Sequence, residues 1–213
     1  RKGFKSGELM VVLVTLGEAL PFEAELLAAL ADLPVTTLVQ NINEVRTNRI
    51  LGDKNRVLLG SGVIRDKIHE LEFEISPLSF FQNNPSQTDV LYSKALEYCE
   101  LTGSETVFDI YCGIGTISLF LAGKAAKVVG IESVESAISD ARRNAALNGI
   151  EQTEFHVGKA VQLMPALHAD GVSADVVVMD PPRKGCDKAV LQTLVAMAPR
   201  RLVYVSCNPQ TLA

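Results

Sequence analysis

The chain has 213 residues, of which 47% are hydrophobic and 21% are charged, and its formal net charge is −5. This composition is typical of a globular protein and excludes a disordered or low-complexity chain. The negative charge argues against a protein whose whole surface binds nucleic acid, although it is compatible with a local basic patch.

The sequence also indicates the cellular compartment. No apolar run approaches the ~18 residues that a membrane-spanning helix needs, and the first residues lack the apolar segment of a secretory signal. The cysteines show neither CxxC pairing nor the spacing of zinc ligands; they are Cys99, Cys112, Cys186 and Cys207. We therefore expect reduced thiols in a cytoplasmic protein, with no metal site and no membrane contact. Because the chain begins at Arg1 and not at a methionine, we expect it to be a fragment of a longer protein.

The first 75 residues predict a small α+β domain. The run Leu9–Leu16 is rich in β-formers and predicts a strand. Pro21 opens a predicted helix that ends at Pro34. Its apolar residues recur at helical spacing; they are Phe22, Leu26, Ala29, Leu30 and Leu33. Two or three strands follow, at about residues 35–43, 56–65 and 70–75. Gly60-Ser61-Gly62 predicts a bulge or turn within the second of them.

Residues 76–213 predict a second domain in which helices and strands alternate. Strands are expected to start near residues 107, 128, 155, 176 and 202. Helices are expected at about residues 87–101, 115–123, 134–147, 159–168 and 187–198. Strand starts 21 to 27 residues apart are what right-handed βαβ units require. We therefore expect a doubly wound, mainly parallel Rossmann-like sheet with ligands at the carboxyl ends of its strands, and a C-terminal side truncated at Ala213.

The first two predicted strand ends carry the residues of a nucleoside site. The first strand runs through Gly113-x-Gly115 into a helix, and these glycines let the backbone approach a ligand. A dinucleotide fingerprint would place a third glycine where Ser118 stands, so a pyrophosphate site gains little support. Asp109 precedes the glycines, and Glu132 ends the second strand, where a carboxylate can accept hydrogen bonds from both ribose hydroxyls. Acids at both strand ends repel phosphates and favour S-adenosylmethionine, a nucleoside with a sulfonium charge and no phosphate.

The fourth predicted strand ends in Asp180-Pro-Pro-Arg183-Lys184. The two prolines remove backbone donors and stiffen the loop, so the loop can hold the Asp180 carboxylate beside a methyl donor and position a flat base. Arg183 and Lys184 place cations beside this cleft, which suits a phosphate-bearing substrate. A plain strand end with two solvated charges is the alternative interpretation of these residues.

The fifth predicted strand delivers Cys207 to the same edge of the sheet. Asn208 is a good N-cap and Pro209 favours the first helical position, so a helix should begin directly after the thiol. The N-terminus of a helix favours a thiolate, which is the form a nucleophile needs. Methylation at C5 of uracil requires such a nucleophile, because C5 attacks a methyl group only after a thiolate has added to C6.

Four motifs together resemble those of the RNA uracil-5-methyltransferases, which make 5-methyluridine in tRNA and 23S rRNA. The motifs are Ser79-Phe-Phe-Gln-Asn-Asn84, Asp109-Ile-Tyr-Cys-Gly-Ile-Gly115, Asp180-Pro-Pro-Arg183 and Ser206-Cys-Asn-Pro209. The resemblance covers nearly the whole chain, and its first 75 residues match the family's central domain.

The resemblance implies a role for each matching residue. Gln82, Tyr111, Glu132 and Asp180 would contact S-adenosylmethionine or position the base, and Cys207 would be the nucleophile. From the residues alone, Tyr111 is either a pocket residue or part of the core, and Gln82 lies in a polar-aromatic loop. The resemblance also implies RNA as the partner, with 23S rRNA favoured over tRNA and no obligate protein partner.

The sequence departs from the family in three respects. Family members usually carry an N-terminal RNA-binding barrel and often cysteines for an iron–sulfur cluster, so we expect any such cluster only outside this chain. The family's general base is a glutamate beyond the cysteine motif, which would lie after Ala213. We therefore expect this chain alone to turn over poorly and its full-length parent to be active.

Three other functions remain as alternatives. An RNA cytosine-5-methyltransferase uses the same thiol addition but usually carries a cysteine directly after the proline of the fourth-strand motif, whereas here Arg183 follows and Cys186 lies further on. An amino-group methyltransferase needs no thiol and would have an aromatic residue at position 183. A catalytically inactive RNA-binding module is disfavoured by the negative charge and by Cys207.

Overall fold

A computed structural model of the chain describes residues 1–45, 49–82 and 84–208. The chain divides into two compact units, Arg1–Ser79 and Phe80–Ala213. The predicted boundary after residue 75 lies four residues before this division, and the interpretation of the units as separate functional domains stays a prediction. Within the described ranges, no helix has both the length and the apolar character that crossing a membrane requires.

The first unit combines a three-stranded sheet with a β-hairpin. Its elements are β1 (Met10–Thr15), α1 (Glu23–Leu30), β2 (Thr37–Ile42), β3 (Lys54–Leu59), β4 (Ile64–Ile68) and β5 (Leu71–Ile75). The sheet order is β1-β2-β3, with β1 and β2 parallel across the α1 crossover and β3 antiparallel to β2. The strands β4 and β5 form a separate antiparallel pair.

The expectation of one strand over residues 56–65 was wrong, whereas the turn expected at Gly60-Ser61-Gly62 is present. Two strands occupy this region, and they belong to different sheets, because β3 pairs with β2 and β4 pairs with β5. Gly60 and Gly62 separate them with φ angles of 74° and 81°. Glycine alone adopts this left-handed conformation without strain, so the chain turns here instead of continuing as one strand.

The helix α1 presents a different stripe from the one predicted. Phe22 and Ala29 are exposed, whereas Leu26, Leu27 and Leu30 are half-buried, and no α1 residue is fully buried. The half-buried set follows the i, i+1, i+4 spacing of one helix face. Phe22 does not belong to the helix body, because it is the N-cap residue and has a left-handed backbone.

Asp66 on β4 fastens the N-terminal segment of this unit. Its carboxylate, in a residue only 2% exposed, accepts hydrogen bonds from the backbone N–H groups of Phe4 (2.9 Å), Lys5 (2.8 Å) and Ser6 (3.4 Å). We expect Asp66→Ala to lower the free energy of unfolding by about 2–4 kcal/mol, because three backbone donors lose their acceptor. Urea denaturation measures this loss. Asp32→Ala removes an exposed carboxylate of the same unit and is the control; equal stability of the two variants would contradict the prediction.

The second unit is a doubly wound α/β fold. Its elements are α2 (Pro85–Cys99), β6 (Thr106–Ile110), α3 (Thr116–Ala122), β7 (Lys127–Glu132), α4 (Glu135–Leu147), β8 (Thr153–Val157), α5 (Ala160–Ala169), β9 (Val176–Met179), α6 (Lys188–Met197) and β10 (Arg201–Tyr204). The five strands are all parallel, in the order β10-β9-β6-β7-β8. The prediction of a parallel Rossmann-like α/β sheet is confirmed.

The strand order places the site. The chain runs outward from β6 through β7 to β8 and then returns to the other side of β6, where β9 and β10 follow. The loops after β6 and β9 therefore diverge to opposite faces and leave a crevice at the carboxyl edge, which is where ligands bind in open α/β sheets. Buried apolar residues fill both faces of the central strands, which fixes the sheet beneath this crevice.

The helix α2 begins two residues earlier than predicted. Asn84 is its N-cap, with Oδ1 accepting from the backbone N–H of Gln87 at 3.4 Å, and Pro85 occupies the first helical turn. Both residues are helix-start signals, so the pattern Asn-Pro was sufficient to place this boundary. Asn83, inside the quoted motif before this helix, lies outside the described residues.

Candidate active site

One large cavity of about 840 Å³ opens at the carboxyl edge of the five-stranded sheet. Its volume lies in the range of sites that bind small molecules and cofactors. Eight of the predicted site residues line it: Gln82, Tyr111, Gly113, Glu132, Asp180, Arg183, Lys184 and Cys207. The fold thus brings together residues that are up to 125 positions apart in the sequence.

Cys207 lies at the mouth of this cavity. It follows β10 by three residues, and its side chain is exposed. The hydroxyl of Ser206 bridges the turn around it, accepting from the N–H of Asn208 at 3.1 Å and donating to the Asn208 carbonyl at 2.9 Å. The helix predicted to start at Pro209 lies outside the described residues, so its effect on the thiol stays a prediction.

Asp180 directly follows β9 and is half-buried in the cavity wall. Within the described part of the chain, its carboxylate receives no hydrogen bond. Burial raises the pKa of Asp180 from 3.8 to about 6. An unpaired, partly desolvated carboxylate of this kind is available to a ligand that brings a hydrogen-bond donor or a positive charge.

Glu132 ends β7 and is held in place by its own loop. Its Oε1 accepts hydrogen bonds from the backbone N–H groups of Ser133 (2.6 Å) and Val134 (2.9 Å) and from the Ser133 hydroxyl (3.0 Å). The bonds described for this carboxylate all end on one oxygen. A carboxylate fixed in this way can direct its other oxygen at a ligand in the cavity.

The glycine loop after β6 turns the chain into α3. Gly113 and Gly115 have φ angles of 55° and 81°, and Gly115 is the N-cap of α3. A Cβ atom at Gly115 would lie 3.1 Å from the Ala141 side chain and from the Phe155 ring. Position 115 therefore requires glycine, both because its backbone is left-handed and because a side chain would crowd these two neighbours. Gly113 lines the cavity, whereas Gly115 does not.

Asp109 lies beneath this loop and does not reach the cavity surface. It is fully buried, and its Oδ2 accepts a hydrogen bond of 2.6 Å from the hydroxyl of Ser118 on α3. Its Oδ1 is buried and has no hydrogen-bond partner among the described residues. Burial raises the pKa of Asp109 from 3.8 to about 7; the Ser118 bond opposes this shift, and the charges of Asp180 and Glu132 add to it. The geometry gives Asp109 a contact with α3, and its predicted contact with the cofactor stays a prediction.

Tyr111 connects β6 to the glycine loop and lines the cavity. Its φ angle of 69° is left-handed, which is uncommon for an aromatic residue and strains the backbone. The backbone N–H of Tyr111 donates to the Ile131 carbonyl at 2.9 Å. The sequence left Tyr111 as either a pocket residue or part of the core. The structure supports both in part, because Tyr111 lines the cavity and also packs on the core.

Gln82 lines the large cavity and also a second, smaller one of about 40 Å³ that shares several lining residues with it. The Tyr92 hydroxyl lies within hydrogen-bonding reach of Gln82 and pairs with the Thr116 hydroxyl at 2.8 Å. Burial raises the pKa of Tyr92, which is therefore a neutral hydroxyl. Tyr92, paired with Thr116, therefore supports Gln82, which the sequence analysis singled out only through the family resemblance.

The basic side chains that line the cavity differ from most others in this unit in having no described carboxylate partner. Five basic side chains elsewhere in this unit are paired with carboxylates, in Lys94–Glu97, Lys127–Glu154, Arg143–Asp140, Arg200–Glu105 and Arg201–Glu100. Lys159, Arg183 and Lys184 line the cavity and have no described ion pair or hydrogen bond. These three cations are therefore available to an anionic ligand, although the whole chain is negatively charged.

The model of the tRNA (uracil-5-)-methyltransferase family matches residues 25–213 of the chain.

The chain belongs to this family.

Curated relatives agree with this assignment. An RNA methyltransferase of Halalkalibacterium halodurans is 57% identical over 215 residues, which cover 100% of this chain and 47% of the relative. An RNA methyltransferase of Listeria innocua is 55% identical over 209 residues, covering 98% of this chain and 46% of the relative. The chain thus spans about half the length of the curated relatives it matches.

Solved structures show the same fold. A tRNA (uracil-54, C5)-methyltransferase of Pyrococcus abyssi, in complex with S-adenosyl-L-homocysteine, has a TM-score of 0.82 and 32% sequence identity; the match covers 100% of this chain and 50% of that one. A tRNA m1G37 methyltransferase of M. jannaschii has a TM-score of 0.53 and 17% identity, covering 85% and 54% of the two chains, and shows the fold alone. S-adenosylmethionine is the methyl donor of the family.

Sequence reasoning missed the contribution of the third strand end. Gly158, Lys159, Ala160 and Val161 follow β8 and line the cavity of this family member. These residues form no recognisable motif, so only their position could have indicated them, because every parallel strand of such a sheet ends at the same edge. Ser133 and Asp187 were missed for the same reason.

The donor set of the cavity fits S-adenosylmethionine. Carboxylates suit the ribose hydroxyls and positive groups of this donor, and apolar Ile131, Ala160 and Val161 suit its base. Among residues 1–45, 49–82 and 84–208, no group of three or more His, Cys, Asp or Glu side chains is placed to hold a metal ion.

Proposed function

We propose that the full-length protein transfers a methyl group from S-adenosylmethionine to C5 of a uridine in RNA through a covalent bond between Cys207 and C6 of the base. One observation carries this proposal most directly. The exposed thiol of Cys207 and the unpaired carboxylate of Asp180 line the same cavity as Glu132, so a nucleophile and a nucleoside-binding carboxylate face one space.

The reaction needs a thiol because C5 of uracil is a weak nucleophile. The Cys207 thiolate adds to C6 and forms the S–C6 bond, and the electron pair of the C5–C6 double bond moves toward O4 as an enolate. S-adenosylmethionine supplies an electrophilic methyl group: C5 bonds to the methyl carbon while the bond between that carbon and the sulfonium sulfur breaks, and S-adenosylhomocysteine leaves with the electron pair on its sulfur. A base then removes the C5 proton, and the electron pair re-forms the double bond and expels the Cys207 thiolate. Nothing is oxidised or reduced in the protein.

The other cavity residues hold the two ligands in this proposal. Glu132 binds the ribose hydroxyls of the donor, and Gln82, Tyr111 and Gly113 shape the space for its amino-acid end. Asp180 positions the base, held by the stiff Pro181-Pro182 segment. Asp109 and Gly115 support the glycine loop from below. Arg183 and Lys184 bind RNA phosphates, which directs the nucleic acid to the mouth of the cavity.

The RNA substrate is a uridine, and we propose 23S rRNA ahead of tRNA on the resemblance of the motifs. The names of the matching family and of the Pyrococcus abyssi enzyme refer to tRNA, so tRNA is the second candidate. Cytosine is disfavoured because Arg183 stands where the cytosine-5 enzymes carry a cysteine. We place the reaction in the cytoplasm, where both RNAs are made in bacteria and where free thiols stay reduced.

The test is to identify the methylated nucleoside. The full-length protein is incubated with labelled S-adenosylmethionine and with 23S rRNA or tRNA transcripts, and the digested RNA is analysed by mass spectrometry. We expect 5-methyluridine in the rRNA. Finding it only in tRNA would correct the substrate, and finding 5-methylcytidine or an N-methylated base would overturn the proposed reaction.

Glu132 gives a separate prediction about the cofactor. Glu132→Gln should weaken binding of S-adenosylhomocysteine by roughly tenfold, because one charged acceptor for the ribose hydroxyls is lost. Calorimetric titration measures the dissociation constant without catalysis. Glu135→Gln changes an exposed carboxylate three residues away and should bind as the wild type does. If both variants bind equally well, Glu132 does not hold the ribose.

A further inference from the structure

Three strand-end segments of the active site meet around the side chain of Cys186. Its Sγ lies 3.8 Å from the hydroxyl oxygen of Tyr204, within the range of a thiol that donates a hydrogen bond. Tyr204, Tyr111 and Cys186 are all partly buried and pack on the same apolar core beside the sheet. None of the roles proposed above uses Cys186 or Tyr204.

Cys186 and Tyr204 lie in the two chain segments that carry Asp180 and Cys207. Cys186 ends the loop of residues 180–186, which we call the Asp180 loop. Gly185, in that loop, turns back through a 2.8 Å hydrogen bond to the Pro182 carbonyl. A Cβ atom at Gly185 would lie 3.6 Å from the Tyr204 hydroxyl, so the loop backbone lies directly against that group.

Tyr204 is the last residue of β10 and lies three positions before Cys207. It pairs in register with Met179, and the next N–H, of Val205, donates to the Met179 carbonyl at 2.8 Å. The last residues paired in register are thus Met179, directly before Asp180, and Tyr204, three residues before Cys207. After these strand ends, the hydrogen bond between Cys186 and Tyr204 joins the Asp180 loop to the end of β10 through side chains.

Tyr111 approaches the same thiol from the β6 side. Burial raises the pKa of Tyr111, and the neighbouring Cys186 thiol adds to this shift. Burial also raises the pKa of Tyr204 to about 12, so both phenols stay neutral and act as hydrogen-bonding groups. The strained, left-handed backbone of Tyr111 persists because its surroundings fix it, and the Cys186 contact is part of those surroundings.

We propose that Cys186 and Tyr204 are positioning residues, whose contact fastens the Asp180 loop to the β10 segment so that the Asp180 carboxylate and the Cys207 thiol meet the same base. This inference rests on the proposed function and names the part of the chain that sets the distance between the two groups. Neither Cys186 nor Tyr204 touches the reacting atoms. A misplaced nucleophile slows bond formation strongly, even when both ligands still bind.

The test compares Tyr204→Phe, Cys186→Ala and Cys186→Ser in the full-length protein. The measured quantity is the rate at which Cys207 forms a covalent adduct with RNA that contains 5-fluorouracil, in the presence of S-adenosylmethionine. We expect Tyr204→Phe and Cys186→Ala to slow this step about three- to tenfold, which is the usual effect of one lost hydrogen bond. Cys186→Ser keeps a donor and should stay within about twofold of the wild type. Tyr98→Phe removes an exposed hydroxyl on α2 and is the matched control.

Two further measurements separate positioning from a general structural role. The affinity for S-adenosylhomocysteine and the midpoint of urea unfolding should stay close to the wild-type values in Tyr204→Phe. The double variant Tyr204→Phe/Cys186→Ala should be no slower than the slower single variant, because both changes break one contact.

The outcomes distinguish this inference from the proposed function. A wild-type protein that forms no adduct overturns the proposed function, and the positioning role falls with it. A wild-type adduct formed at the same rate in all variants overturns only the positioning role. Loss of cofactor affinity or stability in parallel with the rate also overturns it, because the contact would then only support the fold.

Discussion

Replacing Cys207 by alanine is expected to lower the rate of methyl transfer by at least about 10⁴-fold, since losses of this size follow removal of a covalent nucleophile. The structure provides the physical reason. Cys207 is the exposed thiol of the cavity, whereas Cys99 and Cys112 are buried and Cys186 is partly buried. Burial raises the pKa of Cys99 to about 12 and raises that of Cys112, which keeps both as inert thiols.

Adduct formation and cofactor binding together test this result. Wild-type protein and Cys207→Ala are incubated with S-adenosylmethionine and RNA containing 5-fluorouracil, and the adduct is detected by its slower migration on a denaturing gel. The variant should form no adduct, yet it should bind S-adenosylhomocysteine with nearly wild-type affinity, because the thiol does not hold the donor. An adduct that persists in Cys207→Ala would place the nucleophile at another residue.

The second large effect concerns the stability of the α/β unit and its dependence on pH. The pKa of Asp109 in the folded protein is about 7, against 3.8 for an ordinary aspartate. A carboxyl group whose pKa is raised by folding destabilises the fold when it ionises. This cost is absent below about pH 4, grows between pH 4 and pH 7, and is fully present above that range. A shift of this size lowers the free energy of unfolding by up to about 4 kcal/mol at pH 8.

Asp109→Asn should therefore be more stable than the wild type at pH 8, and this advantage should shrink steadily as the pH falls to 5. The amide side chain keeps an oxygen for the Ser118 hydroxyl and removes the buried charge. Urea denaturation at pH 5, 6, 7 and 8 measures the difference. Asp170→Asn changes an exposed carboxylate at the end of α5 and is the control. A stability difference between Asp109→Asn and the wild type that does not vary with pH would show that Asp109 does not titrate in this range.

Much of the α/β unit could be predicted from the sequence because its signals are strong and local. Buried parallel strands are continuous apolar runs, as in Val176–Met179, and glycine or Asn-Pro pairs mark the turns between elements. The first unit was less predictable. Residues 56–65 were expected to form one strand with a bulge or turn at Gly60-Ser61-Gly62, and only the pairing of β3 with β2 and of β4 with β5 shows that this turn separates strands of different sheets.

The site was predictable where a strand end carries an unusual group and was missed where it carries ordinary ones. Asp180, Glu132 and Cys207 each follow an apolar run, so the edge rule for parallel sheets was enough to bring them together. Lys159 has no such marker, since a single lysine after a strand is common on protein surfaces. Burial was also unpredictable, because the depth of Asp109 depends on how α3 covers the end of β6.

The strand order has a consequence for how the protein is synthesised. Ribosomes synthesise the chain from its N-terminus, and domains form as their segments emerge. The strands β6, β7 and β8 are consecutive in the chain and adjacent in the sheet, so the Gly113 and Glu132 side of the cavity has all its strands before β9 is translated. The strand β10 joins last, at the edge of the described sheet, and brings the thiol with it. A nascent chain therefore contains the strands that carry Gly113 and Glu132 before it contains Cys207.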